Sequence, residues 1–371
     1  MSYPLDKVET FTSIQSIMTF IDKTVETNPS RRATIKDVAE SAGVSLATVS
    51  RALNESGSVK PATSELVWEA ARSLGFRPNL MGRNLRSSRT QTLGVMLPTL
   101  IHPVFAECLQ SIETAARLAE HSIVLSTTDY DPLAEESASE ALLRQRVDGL
   151  ILTVADAASS PVLDKLDAEG VPCVLVFNQM SRPTGKKKAA IHRPCVSVDN
   201  QLAAQQMVQH LIAQGHRSIC MIAGRFGQSD RSRLRFNGYK QAMLAAGLEP
   251  VAPLELPFNQ TDTRRELQDL LSSRSRPTAL FCSSDQIAMA VMRDARLLGF
   301  DVPGDLSVAG FDGVRVGQLL SPELTTVVQP TFDIGRTAVD LLLQLIQGEQ
   351  YLGPALLHHT LRLGGSVAAL R

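Results

Sequence analysis

Two groups of side chains in this 371-residue chain have the means to do chemistry. Between positions 45 and 51, Ser45, Leu46, Ala47, Thr48, Ser50 and Arg51 put hydroxyls, small apolar groups and one guanidinium close together. Hydroxyls bond phosphate oxygens, small apolar groups meet thymine methyls, and a guanidinium reaches a guanine edge or a phosphate. The second group is spread over the rest of the chain and sits just after short apolar runs: Thr99 to Phe105, Thr128-Asp129-Tyr130, Asn178-Gln179, Ser229-Asp230, Arg233, Arg235, Phe258, Ser284-Asp285 and Gly310-Phe311-Asp312. Carboxylates accept paired hydroxyl hydrogens, an arginine fork donates to ring and hydroxyl oxygens, and aromatic faces cover apolar sides, so such a set suits a small polyhydroxylated ligand. Bland roles compete: Asp285 and Asp312 as helix caps, Phe105 as core, Asp129 and Asp199 as turn residues.

Enzymatic chemistry finds less support. No nucleophile stands with a base at a recognised spacing, and no phosphate loop or metal-ligand spacing occurs. The chain is therefore read as no enzyme, with no cofactor and no metal. Cys108, Cys173, Cys195, Cys220 and Cys282 are scattered and odd in number, which reads as reduced, buried thiols. No apolar run approaches a membrane span, and acidic residues at positions 6, 9, 22 and 26 oppose a signal peptide, so the expectation is a cytoplasmic protein with no membrane association.

The first group has to be positioned by helices. Thr34 precedes the apolar stripe Ile35, Val38, Ala39 and Ala42, with Asp37 three residues on, a capping arrangement. Gly43 closes that helix, Ser45 caps a second carrying Val49, Ala52 and Leu53, and a third runs from Pro61 to about Gly75. Two short helices around a glycine turn form a helix-turn-helix. Charge agrees: residues 31 to 89 carry net +5 and residues 90 to 371 net -4, so the overall -1 averages a basic head with an acidic body. Residues 1 to 30 hold a two-heptad stripe, Phe11, Ile14, Met18, Ile21 and Val25, which reads as a short helix or a frayed arm.

The second group belongs to a different pattern. From Thr92 short apolar runs alternate with amphipathic helices, twice over, which predicts two parallel, doubly wound sheets forming two lobes with a cleft between them.

Thr34 to Asn54, from Thr-Ile-Lys-Asp-Val-Ala to Arg-Ala-Leu-Asn, resembles the head signature of the LacI/GalR family of bacterial transcription regulators, and the likeness runs on through Leu74 to Asn79 and over about residues 33 to 366. The resemblance implies an all-α helix-turn-helix head (31–77), a hinge (78–90) and a periplasmic-binding-protein-like body (91–371). Lobe 1 would hold about 91–198 and 329–353 and lobe 2 about 199–328 and 354–371, with three crossings, near Asp199, near Thr326 to Gln329 and near Gly353. It implies DNA contacts from Thr34, Ser45, Leu46, Ala47, Thr48, Ser50, Arg51 and Asn54, and from Arg83, Leu85 and Arg86 in the hinge, where Leu85 would wedge between base pairs. It implies effector contacts from Phe105, Asp129, Arg235, Phe258, Asp285 and Asp312. Gly82 departs from the usual alanine, and Gly364 from a common arginine. The expected partners are a pseudo-palindromic double-stranded operator, a second copy of the chain in a homodimer, and a small effector, a sugar or sugar derivative. A purine corepressor is the alternative effector; a solute-binding protein is the alternative function, opposed by the basic head.

Overall fold

The computed structural model describes residues 33–54, 59–76, 89–179, 193–258, 260–273, 275–351 and 353–370. The chain forms two compact units, residues 1–87 and 88–371. The stripe of residues 11 to 25 and the hinge residues Arg83, Leu85 and Arg86 lie outside the described residues.

In the first unit, α1 (Ile35–Ala42), α2 (Leu46–Leu53) and α3 (Pro61–Ser73) pack around Val38, Ala39, Val49, Ala52, Leu53, Val67, Ala70 and Ala71. The caps are those that the residue types dictate. Thr34 and Asp37 form a reciprocal capping box, with the Thr34 backbone N–H donating to the Asp37 carboxylate at 2.6 Å. Gly43, at φ 65°, takes the left-handed conformation that turns the chain from α1 into α2. Ser45 accepts from the Thr48 backbone N–H at 3.2 Å and so starts α2.

The second unit contains two six-stranded sheets. The first is built from β1 (Thr92–Leu97), β2 (Ser122–Thr127), β3 (Gly149–Leu152), β4 (Cys173–Val176), β5 (Cys195–Val198) and β11 (Ala355–Leu357), in the order β11-β5-β4-β3-β1-β2 and parallel throughout. The second is built from β6 (Ile219–Gly224), β7 (Leu254–Leu256), β8 (Ala279–Cys282), β9 (Ser307–Asp312), β10 (Thr325–Val328) and β12 (Thr360–Arg362), in the order β12-β10-β9-β8-β6-β7, with only β12 antiparallel to its neighbour.

Alternation along the strands feeds a core on each sheet face. From β1, Leu93, Val95 and Leu97 join α4 (Pro103–Leu118) and α11 (Thr331–Ile346), while Met96 joins α5 (Pro132–Arg144) and α6 (Pro161–Glu169). In the second lobe α7 (Asn200–Ala213) and α8 (Asp230–Ala245) cover one face, and α9 (Arg264–Leu271) and α10 (Asp285–Leu297) the other. The α7–α8 contact is close enough to need Gly238, since a Cβ there would stand 2.1 Å from the Gln201 carbonyl oxygen.

The chain crosses between lobes three times: at Asp199, between Val328 and Thr331, and at His358-His359. The third crossing comes later than the position near Gly353 that the sequence suggested, because Ala355–Leu357 first pairs with β5 and covers the open edge of the first sheet. All five cysteines are buried and free. Among the described residues, no helix is long and apolar enough to cross a membrane and no acidic, histidine or cysteine cluster could hold a metal.

Candidate DNA-contacting face and ligand cleft

On the first unit, the same amphipathic pattern that buries Val49, Ala52 and Leu53 leaves the opposite side of α2 exposed. Ser45, Leu46, Ala47 and Arg51 are exposed, and Thr48, Ser50 and Asn54 are half-buried. Leu46 is 43% exposed, an apolar side chain held out on a short helix. Arg51 donates from Nε to the Ala47 carbonyl at 3.2 Å, which steadies the guanidinium along the helix with its remaining donors outward. Two of the expected contacts are engaged at home: the Thr34 hydroxyl donates to Asp37 at 2.8 Å, and Asn54 Nδ2 donates to the Ser50 carbonyl at 2.7 Å. A convex face with apolar, hydroxyl and guanidinium groups matches a major groove in shape and chemistry.

The second unit holds the cleft, where strand ends from both lobes converge. Tyr130 and Phe177 from the first lobe and Asp312 from the second, all with positive φ (61°, 67° and 129°), line one cavity with Phe105, Phe258 and Arg235. Backbone held in such sparsely populated conformations concentrates at ligand sites. Tyr130 and Phe258 stack across the lobes at 4.4 Å between ring centroids, and Phe105 meets Phe177 edge-on at 5.2 Å. Gly224, at the end of β6, makes room for the Phe258 ring, whose atoms would lie 2.2 Å from a Cβ there. In this closed arrangement the cavity has little free room, less than a ligand of sugar size needs.

Arg235 organises the polar wall. Its Nε donates to Asn200 Oδ1 at 2.9 Å, its Nη1 to the Ser283 carbonyl, and its guanidinium lies 3.6 Å above the Phe311 ring and 3.5 Å from Asp312. Burial pulls the Arg235 pKa down to about 10, against the pull of Asp312. Burial likewise pushes the Asp312 carboxyl up, opposed by Arg235, while Gln329 Nε2 donates to it at 2.9 Å. At the start of α8, Asp230 accepts from Asn178 Nδ2 at 2.8 Å and Ala157 N at 3.2 Å, and Arg231 donates to the Val154 carbonyl at 3.0 Å. Arg233 pairs with Asp156 at 2.9 Å. These bonds tie α8 of the second lobe to loops of the first and hold the cleft shut.

Four of the six expected effector contacts come together in this cavity: Phe105, Arg235, Phe258 and Asp312. Two stand outside it. Asp129 is exposed, because the turn that carries it at φ 49° sends the next residue, Tyr130, inward instead. Asp285 is fully buried beneath the cleft, where its carboxylate accepts from the backbone N–H groups of Gly313 and Val314 at 2.8 Å and from the Thr326 hydroxyl; Ser284, not Asp285, caps α10. Asp285 thus anchors the loop that presents Asp312. Sequence reasoning missed Arg231, Phe177 and Gln329. Arg231 was within reach, since it precedes Arg235 by four residues and so shares its helix face.

A helix-turn-helix joined in one chain to a two-lobed cleft that closes on small ligands defines a class: DNA-binding transcriptional regulators with a built-in sensor. Residues 34–79 match the bacterial regulatory proteins of the lacI family, and residues 208–367 a periplasmic binding protein-like domain. The chain is 34% identical over 319 residues to catabolite control protein A of Priestia megaterium, covering 85% of this chain and 93% of that protein. It is 33% identical over 341 residues to the transcriptional repressor CytR of Escherichia coli K12, covering 91% and 97%. Among solved structures it superposes on the lac repressor dimer bound to operator and an anti-inducer with a TM-score of 0.80, at 28% identity, covering 91% of this chain and all of that one. A complex of the regulator CelR with cellobiose gives 0.66 at 31% identity, covering 90% of this chain and all of that one. The chain belongs to the LacI family of bacterial transcription regulators.

Proposed function

We propose that this regulator is a cytoplasmic, homodimeric repressor, with no catalytic activity, whose grip on a pseudo-palindromic operator is set by a small polyhydroxylated effector in the body cleft. The observation that carries the effector reading is the convergence of Arg235, Asp312, Phe105 and Phe258 on one buried cavity, a guanidinium and a carboxylate facing aromatic walls. The cellobiose bound to a relative of the same fold supports the ligand class. Base reading falls to Leu46, Ala47, Thr48, Ser50 and Arg51, with Thr34, Ser45 and Asn54 at the edges of that face; Arg83, Leu85 and Arg86 would act from the hinge of residues 78–90.

Two copies are required because two heads must meet two half-sites. Closure of the cleft would bias one arrangement of the first lobes in the dimer and with it the spacing of the two hinges, so that ligand shifts operator affinity by shifting populations. The stack of Tyr130 on Phe258, with His102, Phe105 and Phe177 nearby, favours one further reading, a flat purine-like ring between aromatic faces.

Gel shifts across a salt series, with DNA from the region upstream of the chain's own gene against random duplex, test the operator reading. A preference of about 10³-fold or more is expected, and Leu85→Ala is expected to weaken the specific complex more than the nonspecific one. Equal affinity for both duplexes at every salt concentration overturns it.

A further inference from the structure

Arg231 carries a donor that the protein itself leaves unmatched. Its Nη1 donates to the Val154 carbonyl at 3.0 Å and to Asp230 Oδ1 at 3.3 Å, while Nη2 is buried with no hydrogen-bond partner. The side chain is only 5% exposed and lines the ligand cavity. A buried cationic N–H left unpaired is costly, and an unpaired group of this kind in a binding cavity marks the place of a missing acceptor. Gln329 shows the complementary feature on the same cavity: its Nε2 is committed to Asp312, and its Oε1 is buried and unpartnered, an acceptor waiting for a hydroxyl.

The electrostatics of the cavity point the same way. Its charged lining consists of Arg231, Arg235 and Asp312; Asp312 is engaged by Arg235 and Gln329, and Arg231 pairs through Nη1 with Asp230 behind the wall, which leaves Nη2 as the open donor. Burial lowers the pKa of His102, against the opposing pull of its bond to the Phe258 backbone. Three helices of 13 to 16 residues, α4, α8 and α10, begin at the cavity, with their N-cap residues His102, Ser229 and Ser284 in its wall. The Ser229 and Ser284 hydroxyl oxygens accept the capping backbone N–H groups, and the helices add the positive field of their N-termini, offset at α8 and α10 by Asp230 and Asp285 in the first turn. A buried guanidinium N–H without an acceptor, in a wall where three helices begin, describes a site for a negatively charged oxygen.

We infer that the effector carries an oxyanion, the carboxylate of a sugar acid or the phosphate of a sugar phosphate, and that Arg231 is the residue that selects it. The inference rests on the cleft reading above and narrows it: Arg235, Asp312 and Gln329 hold hydroxyls and ring oxygens, Tyr130 and Phe258 cover the ring, and Arg231 Nη2 takes the anionic oxygen. A neutral sugar would offer that N–H only a hydroxyl oxygen, whereas a sugar acid or sugar phosphate gives it a shorter, charge-assisted bond.

The test uses the full chain in thermal-shift and calorimetric titrations with matched probes: D-glucose and D-galactose against D-gluconate, D-glucuronate, D-galacturonate and D-glucose 6-phosphate, with inorganic phosphate alone as a further arm. Binding is expected from acids only, with carboxylate and phosphate arms separating the two sources, and Kd is expected to rise at least tenfold in Arg231→Gln and to recover in large part in Arg231→Lys. Melting of the ligand-free variant checks that it folds. Should Arg231→Gln not fold, the wild-type preference for acid over neutral sugar and its weakening with added salt decide alone. Equal binding of a neutral sugar, or an acid bound as tightly by Arg231→Gln as by the wild type, overturns the oxyanion and leaves the cleft reading standing. Binding of none of the sugars or acids overturns both.

Discussion

The proposed contact face of the head and the candidate ligand cleft of the body solve opposite problems. The head presents Leu46, Ala47 and Arg51 on the open side of an eight-residue helix, and each is placed by neighbours within four residues. The cleft draws its residues from His102 to Gln329, buries nearly all of them, and pairs them across two lobes. A site for a macromolecule must protrude and is therefore encoded locally. A site that encloses a small molecule must converge, and the burial this entails perturbs its ionisable groups, as Arg235 and Asp312 illustrate.

That contrast can be broken by substitution, and the largest effect is expected in the cleft. Arg235→Ala strips Asp312 of its cation and Asn200 of its donor in a buried site, so the body is expected to lose about 3–5 kcal/mol in urea unfolding, together with its ligand-induced thermal shift. A body as stable as the wild type with its ligand response intact would contradict the organising role of Arg235.

On the head, Arg51→Ala should do the reverse. Operator affinity is expected to fall by about 1–3 kcal/mol with the body's stability and ligand Kd unchanged, since only the outward donors of an exposed side chain are lost. Fluorescence anisotropy on matched duplexes measures this, and an equal loss on random DNA would make Arg51 a phosphate contact instead.

Glu135 sharpens the comparison through pH. It is buried beside the cleft loops, accepts from the Ala155 backbone N–H at 2.7 Å, and burial pushes its pKa up to about 7 against the opposing pull of that bond and of Arg231. A folded pKa above the unfolded one favours the native state while the group is protonated, a contribution present in full below about pH 4.5 and lost as pH rises through about 7. Glu135→Gln should therefore gain on the wild type between pH 5 and pH 8, by about 1–2 kcal/mol in chemical unfolding after allowance for partial solvation. A difference independent of pH would show that the carboxyl is ionised throughout. The smallest effect belongs to the head's local caps, where Thr34→Ala should cost about 1 kcal/mol of head stability and nothing in the body.

The same contrast explains what could be read in advance. The capping box of Thr34 and Asp37, the turn at Gly43 and the buried stripe of α2 each depend on residues a few positions apart, so the head was legible nearly whole. In the body the alternation of strands and helices was legible too, but strands of three residues, such as Leu254–Leu256 and Ala355–Leu357, carry no periodicity to read. For the cleft, position after a strand located the right loops without fixing which side chain turns inward. One residue's shift in a turn exchanges Asp129 for Tyr130, and Asp285 spends its carboxylate on the backbone of the loop that carries Asp312. The orphaned Nη2 of Arg231 exists only in three dimensions, since the burial that isolates it comes from packing against the other lobe, where Nη1 meets the Val154 carbonyl.

The coupling of the two sites is the central claim, and it is measured most directly by titrating a bound operator duplex with the acid that gives the largest thermal shift. A change in operator affinity of fivefold or more at saturating ligand is predicted, absent in Arg235→Ala. Ligand that binds the cleft and leaves operator affinity unchanged would contradict it.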